Sequence, residues 1–446
     1  MEQIKEGVKR VFLETFGCQM NDNDSERILG FLKNISYIRT SEPSDADLII
    51  LNTCSVRDKA EQKVYSALGR FRELKEERPG LIVGVAGCVA QQEGQKLLKR
   101  APYLDLVFGP HNIHKLPDLI GEISEKRARL VAVEQSASIN ENEYGLVSAS
   151  GEKAYVSIMR GCDNFCSYCI VPYTRGREVS RESADILDEV TRLVESGVQE
   201  VTLLGQNVNS YGAGADVSFP ELLRLVAGVD GIKRVRFVTS HPKDISEELI
   251  YLFGEELKLA RHMHLPVQSG SDRVLKEMGR GYTASEYATK VQLIKRLYPD
   301  MAITTDIIVG FPGETEAEFE ETMALLMALR FENVFSFMYS PRPLTRAASF
   351  VGQLPLDVRS ERLQRLQDAQ REISLARNLE LVGRRVEVLV EGTSKSDGSR
   401  FSGRTSCNRI VNFPYDGING PGAFVEVVVT EAYPNSLRGE VPQQGK

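Results

Sequence analysis

Short apolar runs alternate with longer segments of helical period over the N-terminal quarter of the chain. Strands are predicted at 10–16, 47–52, 81–86 and 104–108, and helices near 22–34, 58–77, 92–100 and 112–122. Continuous apolar strands that alternate with helices predict a parallel sheet covered on both faces. The ligand crevice of such a sheet lies outside the carboxyl ends of its strands. The pattern therefore predicts a doubly wound α/β domain over residues 1–122.

The alternation resumes after a polar stretch at 123–150, which we interpret as a linker. Six further strands are predicted at 154–160, 200–204, 234–238, 262–267, 302–309 and 333–338. Capping boxes at Thr283 and Thr315 open two of the intervening helices. Six strand-helix units predict a partial (β/α)6 barrel over residues 151–381, with its functional residues at the carboxyl ends of the strands.

The last part of the chain, residues 382–446, has a different pattern. Strand-like runs, for example at 385–391 and 423–430, are separated by Gly and Asp turns, and a long helical segment at 356–381 precedes them. Short strands with frequent turns predict a small all-β barrel.

Composition narrows the class of protein. The chain has 446 residues, of which 42% are hydrophobic, enough for two or three domains with cores of their own. Its net charge of -7 is not typical of a protein that holds nucleic acid by bulk electrostatics. The N-terminus has no apolar signal region and no run approaches a membrane span, so we expect a cytoplasmic protein without membrane contact. Seven cysteines in that compartment favour metal or catalytic thiols over disulfides.

Three of those cysteines, Cys162, Cys166 and Cys169, follow the first strand of the predicted barrel with the spacing C-x3-C-x2-C. Iron-sulfur clusters usually take four thiolates, so a set of three leaves one iron open for chemistry. The alternatives are a zinc knuckle or buried free thiols. A structural zinc site needs four ligands, and no further Cys or His stands near enough in sequence to complete one.

A second set of three is dispersed in sequence. Cys18, Cys54 and Cys88 each stand just past the end of one of the first three predicted strands. Because the carboxyl ends of parallel strands meet at one edge of a sheet, these cysteines can form another three-thiolate site. The alternative is that all three are buried free thiols, since cysteine is among the most buried residue types.

The residues around both sets resemble known families. The residues around Cys18, Cys54 and Cys88 resemble those of the N-terminal domain of the methylthiotransferases. The C-x3-C-x2-C motif, with Tyr168 before its last cysteine, resembles that of the radical S-adenosylmethionine (SAM) enzymes. The matching stretches are Thr15-Phe16-Gly17-Cys18-Gln19-Met20-Asn21, Asn52-Thr53-Cys54-Ser55-Val56-Arg57, Gly87-Cys88-Val89-Ala90-Gln91 and Arg160-Gly161-Cys162-Asp163-Asn164-Phe165-Cys166-Ser167-Tyr168-Cys169. The tail resembles the TRAM domain, an RNA-binding barrel, so the resemblance covers nearly the whole chain.

The resemblance implies the cofactors and their ligands. It assigns one [4Fe-4S] cluster, with SAM on its open iron, to Cys162, Cys166 and Cys169, and an auxiliary [4Fe-4S] cluster to Cys18, Cys54 and Cys88. Further SAM contacts are expected on the loops at strand ends. The candidates are Tyr168, Gln206, Asn207, Asp306 and Gly310.

The resemblance also implies a reaction. Residues 19–21, 55–60 and 172–176 are similar to the branch that adds a methylthio group to C2 of N6-isopentenyladenosine at position 37 of tRNA, with one SAM as radical source and one as methyl donor. The alternatives are sister branches that act on threonylcarbamoyl adenosine in tRNA or on an aspartate of a ribosomal protein. A non-catalytic RNA-binding protein with structural clusters is less compatible with three-cysteine sets, because a structural cluster gains nothing from an open iron.

The expected partners are the tRNA anticodon stem-loop and an external electron donor of the flavodoxin or ferredoxin type, and we expect a monomer. RNA contacts are predicted from arginines and aromatic residues after the C-x3-C-x2-C motif and in the tail. They are Arg175, Arg177, Arg181, Arg404, Arg409, Phe401 and Phe413. The alternatives are a solvated charge cluster for the first three arginines and a core position for Phe413. The tail carries 8 Lys and Arg against 7 Asp and Glu, so its charge alone does not indicate RNA binding.

Four residues stand outside these assignments. His262 and His264 share one face of a predicted strand and are expected to be packed or hydrogen-bonded rather than metal ligands. Cys407 is interpreted as a structural thiol. Leu344 stands where the family usually has glycine, which questions the geometry of the local turn.

Overall fold

The structure of the protein is a computed structural model. It describes residues 7–55, 58–139, 144, 151–212, 214–395, 397–414 and 420–442, and for residues 58–63 the backbone only. Val56, Arg57 and much of the predicted linker lie outside the described residues. The chain divides into two compact units, the first within residues 1–149, 159–163 and 169–181, and the second within 150–158, 164–168 and 182–446.

A six-stranded parallel sheet forms the first unit, with strand order β2-β1-β3-β4-β5-β6. The strands are β1 (Lys9–Phe16), β2 (Tyr37–Arg39), β3 (Leu48–Thr53), β4 (Ile82–Gly87), β5 (Leu106–Phe108) and β6 (Leu130–Ala132). The helices are α1 (Gln19–Asn34), α2 (Asp58–Glu77), α3 (Cys88–Glu93), α4 (Gln95–Arg100) and α5 (Leu116–Lys126), with 3-10 turns at Pro43–Asp45 and Pro110–Lys115.

All residues of β3 and β4 are buried, and apolar clusters form on both faces of the sheet, as the continuous apolar runs predicted. The outer strands β2 and β6 were not predicted, because three residues are too few to show a period. Strand β6 lies in the stretch predicted as a linker, so the sheet extends past the predicted boundary at residue 122.

Six parallel strands in chain order build most of the second unit. They are β7 (Lys153–Ser157), β10 (Glu200–Leu204), β11 (Arg234–Phe237), β12 (His262–His264), β13 (Ala302–Val309) and β14 (Asn333–Met338). They form two three-stranded parallel sheets, and an isolated bridge pairs Val235 of β11 with Leu259, three residues before β12. The predicted partial barrel is confirmed. The predicted first strand stops at Ser157, and β8 (Met159–Arg160) pairs with β9 (Val179–Ser180) in the first unit.

Helices connect these strands and a closed barrel follows them. The helices are α6 (Val171–Thr174, first unit), α7 (Ser183–Glu195), α8 (Phe219–Gly228), α9 (Glu247–Glu255), α10 (Asp272–Met278), α11 (Ala284–Leu297), α12 (Glu316–Leu329) and α13 (Leu356–Leu379), with 3-10 turns at Val208–Ser210, Pro242–Asp244 and Arg346–Ser349. The barrel order is β15-β16-β17-β19-β18, for strands β15 (Arg385–Thr393), β16 (Arg400–Thr405), β17 (Ile410–Pro414), β18 (Phe424–Ala432) and β19 (Leu437–Glu440). No helix that the structure describes is both long and apolar enough to cross a membrane.

Candidate functional site

The carboxyl ends of β1, β3 and β4 bring Cys18, Cys54 and Cys88 together. These strands are hydrogen-bonded neighbours, and the N–H of Cys54 donates to the carbonyl of Phe16 at 2.9 Å. Cys54 and Cys88 are buried, whereas Cys18 stays open to solvent although protein surrounds its thiol on most sides. A hydrogen bond joins the side chains of Cys18 and Cys54. The predicted convergence at one sheet edge is confirmed, and the role of the three thiols as ligands stays a prediction.

Backbone packing requires glycine before Cys88. Gly87 has a φ of +88°, and a Cβ on it would lie 2.4 Å from Oδ1 of Asn52. The Asn52 amide in turn donates to the carbonyl of Asn21 at 2.8 Å and to Oγ of Ser25 at 2.9 Å, so it ties the first turns of α1 to β3. This buried network holds the strand ends and their cysteines in register.

Arg175 is the charged residue of this cysteine site. Its guanidinium is buried, pairs with the buried carboxylate of Asp24 at 2.5 Å and hydrogen-bonds the thiol of Cys88. The hydrogen bond with Cys54 lowers the pKa of Cys18 to about 6 despite burial, and Arg175 adds to this. Burial raises the pKa of the Cys88 thiol, which Arg175 opposes. Arg175 is 6% exposed, so little of its side chain is open to RNA here, and the predicted RNA contact stays a prediction.

These residues fit an iron-sulfur cluster. Three sulfur donors stand on adjacent strand ends, and a buried cation beside them suits thiolates rather than neutral thiols. Among the described residues no three His, Cys, Asp or Glu side chains converge as the ligands of a single metal ion do. A cluster does not require that convergence, because each thiolate binds a different iron.

The C-x3-C-x2-C motif lies in a constrained loop. Cys162 and Cys169 belong to the first unit and Cys166 to the second. In the first unit the N–H of Cys162 donates to the carbonyl of Gly176 at 3.3 Å. Gly161 has a φ of +77° and passes so close to the backbone of Arg177 that no Cβ would fit. The chain therefore needs glycine directly before the first cysteine of the motif, as it does before Cys88.

Within the second unit, Cys166 and Tyr168 share an unexpected neighbour. Nη1 of Arg280 lies 3.4 Å from Sγ of Cys166 and 3.4 Å from the hydroxyl of Tyr168. Arg280 follows α10, and α10 is tied to the motif because Ser167 donates from its N–H to the carbonyl of Met278 at 2.9 Å. The sequence reasoning missed Arg280, and its position between Gly279 and Gly281 is the only signal that marks it.

Asn207 and Gly310, two of the predicted SAM contacts, make packing or hydrogen-bond contacts within the protein. The Asn207 amide is buried, accepts from the N–H of His241 at 3.0 Å and donates to Asp244 at 2.7 Å, so it fixes the loop after β11. Gly310 has a φ of +70°, but the side chain of Arg359 fills the space where a Cβ would stand. Packing against Arg359 therefore requires glycine there, and the predicted contact of Gly310 with SAM stays a prediction.

Asp306 and Gln206, two further predicted SAM contacts, lie inside a strand and on a strand-end loop, respectively. Asp306 lies inside β13 rather than after it, with Oδ1 3.4 Å from Nε2 of His264. Gln206 directly precedes Asn207 on the loop that follows β10, and its side chain is partly buried. Both remain SAM contacts by prediction only.

Buried polar atoms without partners lie at the end of β10, where SAM contacts were predicted, and at the end of β11, where none were. Among the described residues, both amide atoms of Asn209, Oγ of Ser240 and Nε2 of His241 have no hydrogen-bond partner. Burial lowers the pKa of His241 to about 2, so the ring is neutral. Its Nδ1 accepts from the N–H of Lys243 at 3.2 Å, which leaves the proton on Nε2. Such atoms fit a polar ligand like SAM at the ends of β10 and β11.

Comparison with known proteins identifies the chain at full length. It is 52% identical to a tRNA-2-methylthio-N(6)-dimethylallyladenosine synthase from Geobacter metallireducens, over 98% of this chain and 99% of the relative. It is 53% identical to the synthase of the same name from Myxococcus xanthus, over 97% and 94% of the two chains.

The chain belongs to the tRNA-2-methylthio-N(6)-dimethylallyladenosine synthase family. Its segments match three known families in the predicted order: uncharacterized protein family UPF0004 at residues 10–109, the radical SAM superfamily at 156–326 and the TRAM domain at 379–441. The predicted fold class is confirmed.

Solved structures support the fold. The radical SAM methyltransferase TsrM from Kitasatospora setae, with cobalamin and a [4Fe-4S] cluster bound, aligns with a TM-score of 0.57 at 14% identity, over 76% of this chain and 74% of that one. The cobalamin-dependent SAM radical enzyme OxsB aligns with a TM-score of 0.52 at 13% identity, over 81% and 56%. At these identities the likeness concerns the fold alone.

The arginines predicted to contact tRNA differ in their exposure. Arg177 is exposed and pairs with Asp163 at 2.7 Å, and Arg404 is half-buried beside Glu391 at 3.3 Å. Arg409 is mostly buried, with Nε donating to Asn378 at 2.9 Å and Nη1 3.0 Å from Sγ of Cys407. That guanidinium holds the barrel against α13, and the predicted RNA contact at Arg409 stays a prediction.

The remaining RNA candidates, Arg181, Phe401 and Phe413, are buried or packed against buried residues. Arg181 is 5% exposed, with its guanidinium 4.4 Å from the ring centroid of Tyr144. Phe413 is in the core of the C-terminal barrel, where Phe401 packs edge-on against it. Of these predicted contacts, only Arg177 and Arg404 keep guanidinium surface that RNA could reach.

The two histidines of β12 are hydrogen-bonded, as predicted. Nε2 of His262 and Nδ1 of His264 both lie about 3 Å from the hydroxyl of Thr304 on β13, at 3.1 and 3.0 Å. Cys407 hydrogen-bonds Thr405 at 3.1 Å, which agrees with a structural role.

Proposed function

We propose that this protein adds a methylthio group to C2 of N6-isopentenyladenosine at position 37 of tRNA, with one SAM as radical source and a second as methyl donor. The observation that carries the proposal is the 52% full-length identity to a synthase named for this product. Both three-cysteine sets that the chemistry needs are present in the chain.

An aromatic C–H bond yields to neither a general base nor a nucleophile, so the reaction depends on cofactors. When bound, a cluster at Cys162, Cys166 and Cys169 with SAM supplies the radical, and a cluster at Cys18, Cys54 and Cys88 supplies the sulfur. The chain's own groups hold and orient these. Arg175 places positive charge beside Cys88, and neutral His241 offers an N–H donor to a polar ligand at the end of β11.

We infer that the macromolecular substrate is tRNA, bound at its anticodon stem-loop, which the TRAM match and the synthase names support. Reduction by a small donor of the flavodoxin or ferredoxin type, and a monomeric state, are predictions that follow from the resemblance. The domain boundaries at residues 122, 150 and 381 are likewise predictions.

The first experiment separates the two clusters. After anaerobic reconstitution, the wild-type protein should hold about eight irons, four for each cluster by ligand counting. Cys18→Ala should keep SAM cleavage and lose methylthiolation of tRNA, because only the auxiliary set is broken. Cys166→Ala is the matched variant and should lose both. Loss of SAM cleavage in a folded Cys18→Ala protein that keeps its other cluster would refute the division of labour.

The second experiment tests the substrate. Turnover should be far higher on tRNA with the isopentenyl group than without it, because leaving an apolar pocket empty forfeits roughly 0.8 kcal/mol per methylene-sized group. Equal rates on both, or a preference for threonylcarbamoyl adenosine, would move the protein to a sister branch. No turnover of any tRNA together with no SAM cleavage would favour a non-catalytic RNA-binding protein.

A further inference from the structure

Arg280 is a buried cation that touches a cysteine of the C-x3-C-x2-C motif. Its side chain and backbone are 4% exposed. Nη1 lies 3.4 Å from Sγ of Cys166, Nη2 donates to the carbonyl of Pro266 at 2.8 Å, and Nε donates to the hydroxyl of Tyr282 at 2.9 Å. All of these groups belong to the second unit.

None of the described groups that hydrogen-bond the Arg280 guanidinium is a carboxylate. These partners are one thiol, two tyrosine hydroxyls and a carbonyl. Arg362 is just as buried but lies 2.7 Å from Glu314 and 3.1 Å from Glu316. Because an unpaired buried charge costs several kcal/mol, the Arg280 site needs an anion that the protein chain alone does not provide.

The position of Arg280 against Cys166 is held by backbone constraints. Gly279 and Gly281 have φ of +74° and +71°, so the chain reverses on both sides of the arginine. Ser167 is tied to the end of α10 by its N–H, at 2.9 Å from the Met278 carbonyl, and by its hydroxyl, at 2.8 Å from the Glu277 carbonyl. These contacts fix the motif loop against the end of α10, and the hydrogen bonds to Pro266 and Tyr282 hold the guanidinium beside the sulfur.

We propose that Arg280 is a positioning residue that donates a hydrogen bond to the Cys166 thiolate and raises the reduction potential of the cluster at Cys162, Cys166 and Cys169. The inference rests on the proposed function, since it needs that cluster. Thiolate ligation supplies the missing negative charge, and hydrogen bonds to cluster sulfurs are among the factors that set the potential. Reduction adds one electron, so a fixed cation beside a ligand sulfur stabilises the reduced state more than the oxidised one.

The test is an anaerobic redox titration of the full-length protein, followed by electron paramagnetic resonance of the reduced cluster. The background carries Cys18→Ala, Cys54→Ala and Cys88→Ala, so that a single cluster contributes. Arg280→Met should lower the ratio of reduced to oxidised cluster at a fixed potential at least tenfold, which is 59 mV for a one-electron couple. Arg280→Lys keeps the charge and should recover part of that ratio.

Arg362→Met is the matched control. It removes an equally buried arginine whose charge is balanced by carboxylates, so it should reduce stability without moving the midpoint potential. If Arg280→Met does not take up the cluster, Arg280→Gln and Arg280→Lys replace it, and the glutamine variant should have the lower midpoint.

The outcomes separate the two proposals. A midpoint that is the same with Arg, Lys, Gln or Met at position 280 would overturn this inference and leave the proposed function intact. If the protein with Arg280 intact shows no cluster signal at all, the proposed function fails and the inference fails with it.

Discussion

Leu344 has a left-handed backbone conformation, with a φ of +70°, and its side chain is largely exposed. The turn that contains it is closed by Thr345, whose hydroxyl donates to the carbonyl of Arg342 at 2.8 Å. This conformation costs an L-residue about 1–2 kcal/mol, whereas glycine adopts it without steric strain. The turn therefore forms with leucine at this position, at the cost of backbone strain at Leu344.

Leu344→Gly should therefore raise the free energy of unfolding by roughly 0.5–1 kcal/mol, after the extra backbone entropy that glycine loses on folding is subtracted. Urea unfolding of the two proteins measures the difference. Leu344→Ala is the control, since it keeps the strained φ and should bring no gain. A loss of stability in the glycine variant would mean that contacts of the leucine side chain outweigh the strain.

Arg175 and Arg177 are two residues apart and should respond differently to the same change. Arg175→Met removes the shorter of the two described ion pairs of the buried Asp24 and leaves the one with Arg27, at 3.4 Å, so it should lower the free energy of unfolding by about 1.5–3 kcal/mol. Arg177→Met removes an exposed ion pair with Asp163 and should cost less than about 1 kcal/mol. Denaturant unfolding measures both, and equal costs would contradict the burial argument.

At the scale of elements, helix starts follow local rules that need no tertiary information. Thr315 caps α12, accepting from the N–H of Glu318 at 3.3 Å, while the Glu318 carboxylate accepts from the N–H of Thr315 at 2.8 Å. Thr283 and Glu286 repeat this arrangement at α11. Both capping boxes were predicted from a four-residue pattern, because all their partners lie within one turn.

Thr315→Ala should destabilise the protein by about 1 kcal/mol, since it removes the side-chain acceptor of an otherwise unpaired N–H. Thr289→Ala is the matched control: this exposed threonine is inside α11 and donates back to the carbonyl of Ser285 at 2.9 Å. Urea unfolding at neutral pH should show little change or a slight gain for the control. Equal losses would mean that the capping hydrogen bonds contribute nothing.

Glu318 also makes this helix start sensitive to pH. Hydrogen bonds from Arg273 lower its pKa from 4.5 to about 2. A depressed carboxyl pKa contributes stability that is fully present above pH 4.5 and is lost as the pH falls toward 2. The difference in unfolding free energy between wild type and Glu318→Gln should therefore shrink over that range. A difference that stays constant from pH 5 to pH 2 would contradict the assignment.

At the scale of the molecule, the C-terminal barrel completes the hydrogen bonds of buried residues in the rest of the second unit. Arg234 and Arg236 share the buried Glu200, and the barrel supplies their other partners. Glu387 lies 2.8 Å from Nη2 of Arg234, and the carbonyls of Ser406 and Thr405 accept from Arg236 at 2.8 and 2.6 Å. The barrel is thus part of the unit's structure.

Deletion of residues 383–446 should therefore destabilise the remaining second unit by several kcal/mol, because two buried guanidiniums keep Glu200 but lose their hydrogen-bond partners in the barrel. Thermal unfolding of the truncated protein measures this. Glu387→Gln is the milder control, since Glu387 is exposed and its amide can still accept from Arg234. An unchanged unfolding temperature after truncation would mean that the barrel is an independent module.

Point variants are therefore the better probe of tRNA binding by the barrel. Tyr433 is exposed, and the Arg438 guanidinium lies 5.4 Å from its ring centroid. Because stacking of a base on an aromatic ring is worth about 1–3 kcal/mol, Tyr433→Ala should weaken tRNA binding at least fivefold. Arg385→Ala is the control, since Arg385 is exposed but already pairs with Glu426 at 2.7 Å. Equal effects of the two variants on tRNA affinity would exclude a stacking surface at Tyr433.

The sequence by itself determined the order of the elements, the two three-cysteine sets and the family. Periodicity and capping depend on neighbours within a few residues, and parallel strands carry whatever follows them to one edge of the sheet. For that reason Cys18, Cys54 and Cys88 could be placed together from their positions after predicted strands.

Only the tertiary structure decided which polar side chains are buried and which groups they pair with. Arg175 was expected at an RNA surface, yet it pairs with Asp24, 151 residues away in sequence, and the amide of Asn207 is held by a loop more than 30 residues later. Arg280 belongs to no sequence motif, and only its contact with the sulfur of Cys166 singles it out. Burial and partner choice are set by packing between distant segments, and no local pattern records them.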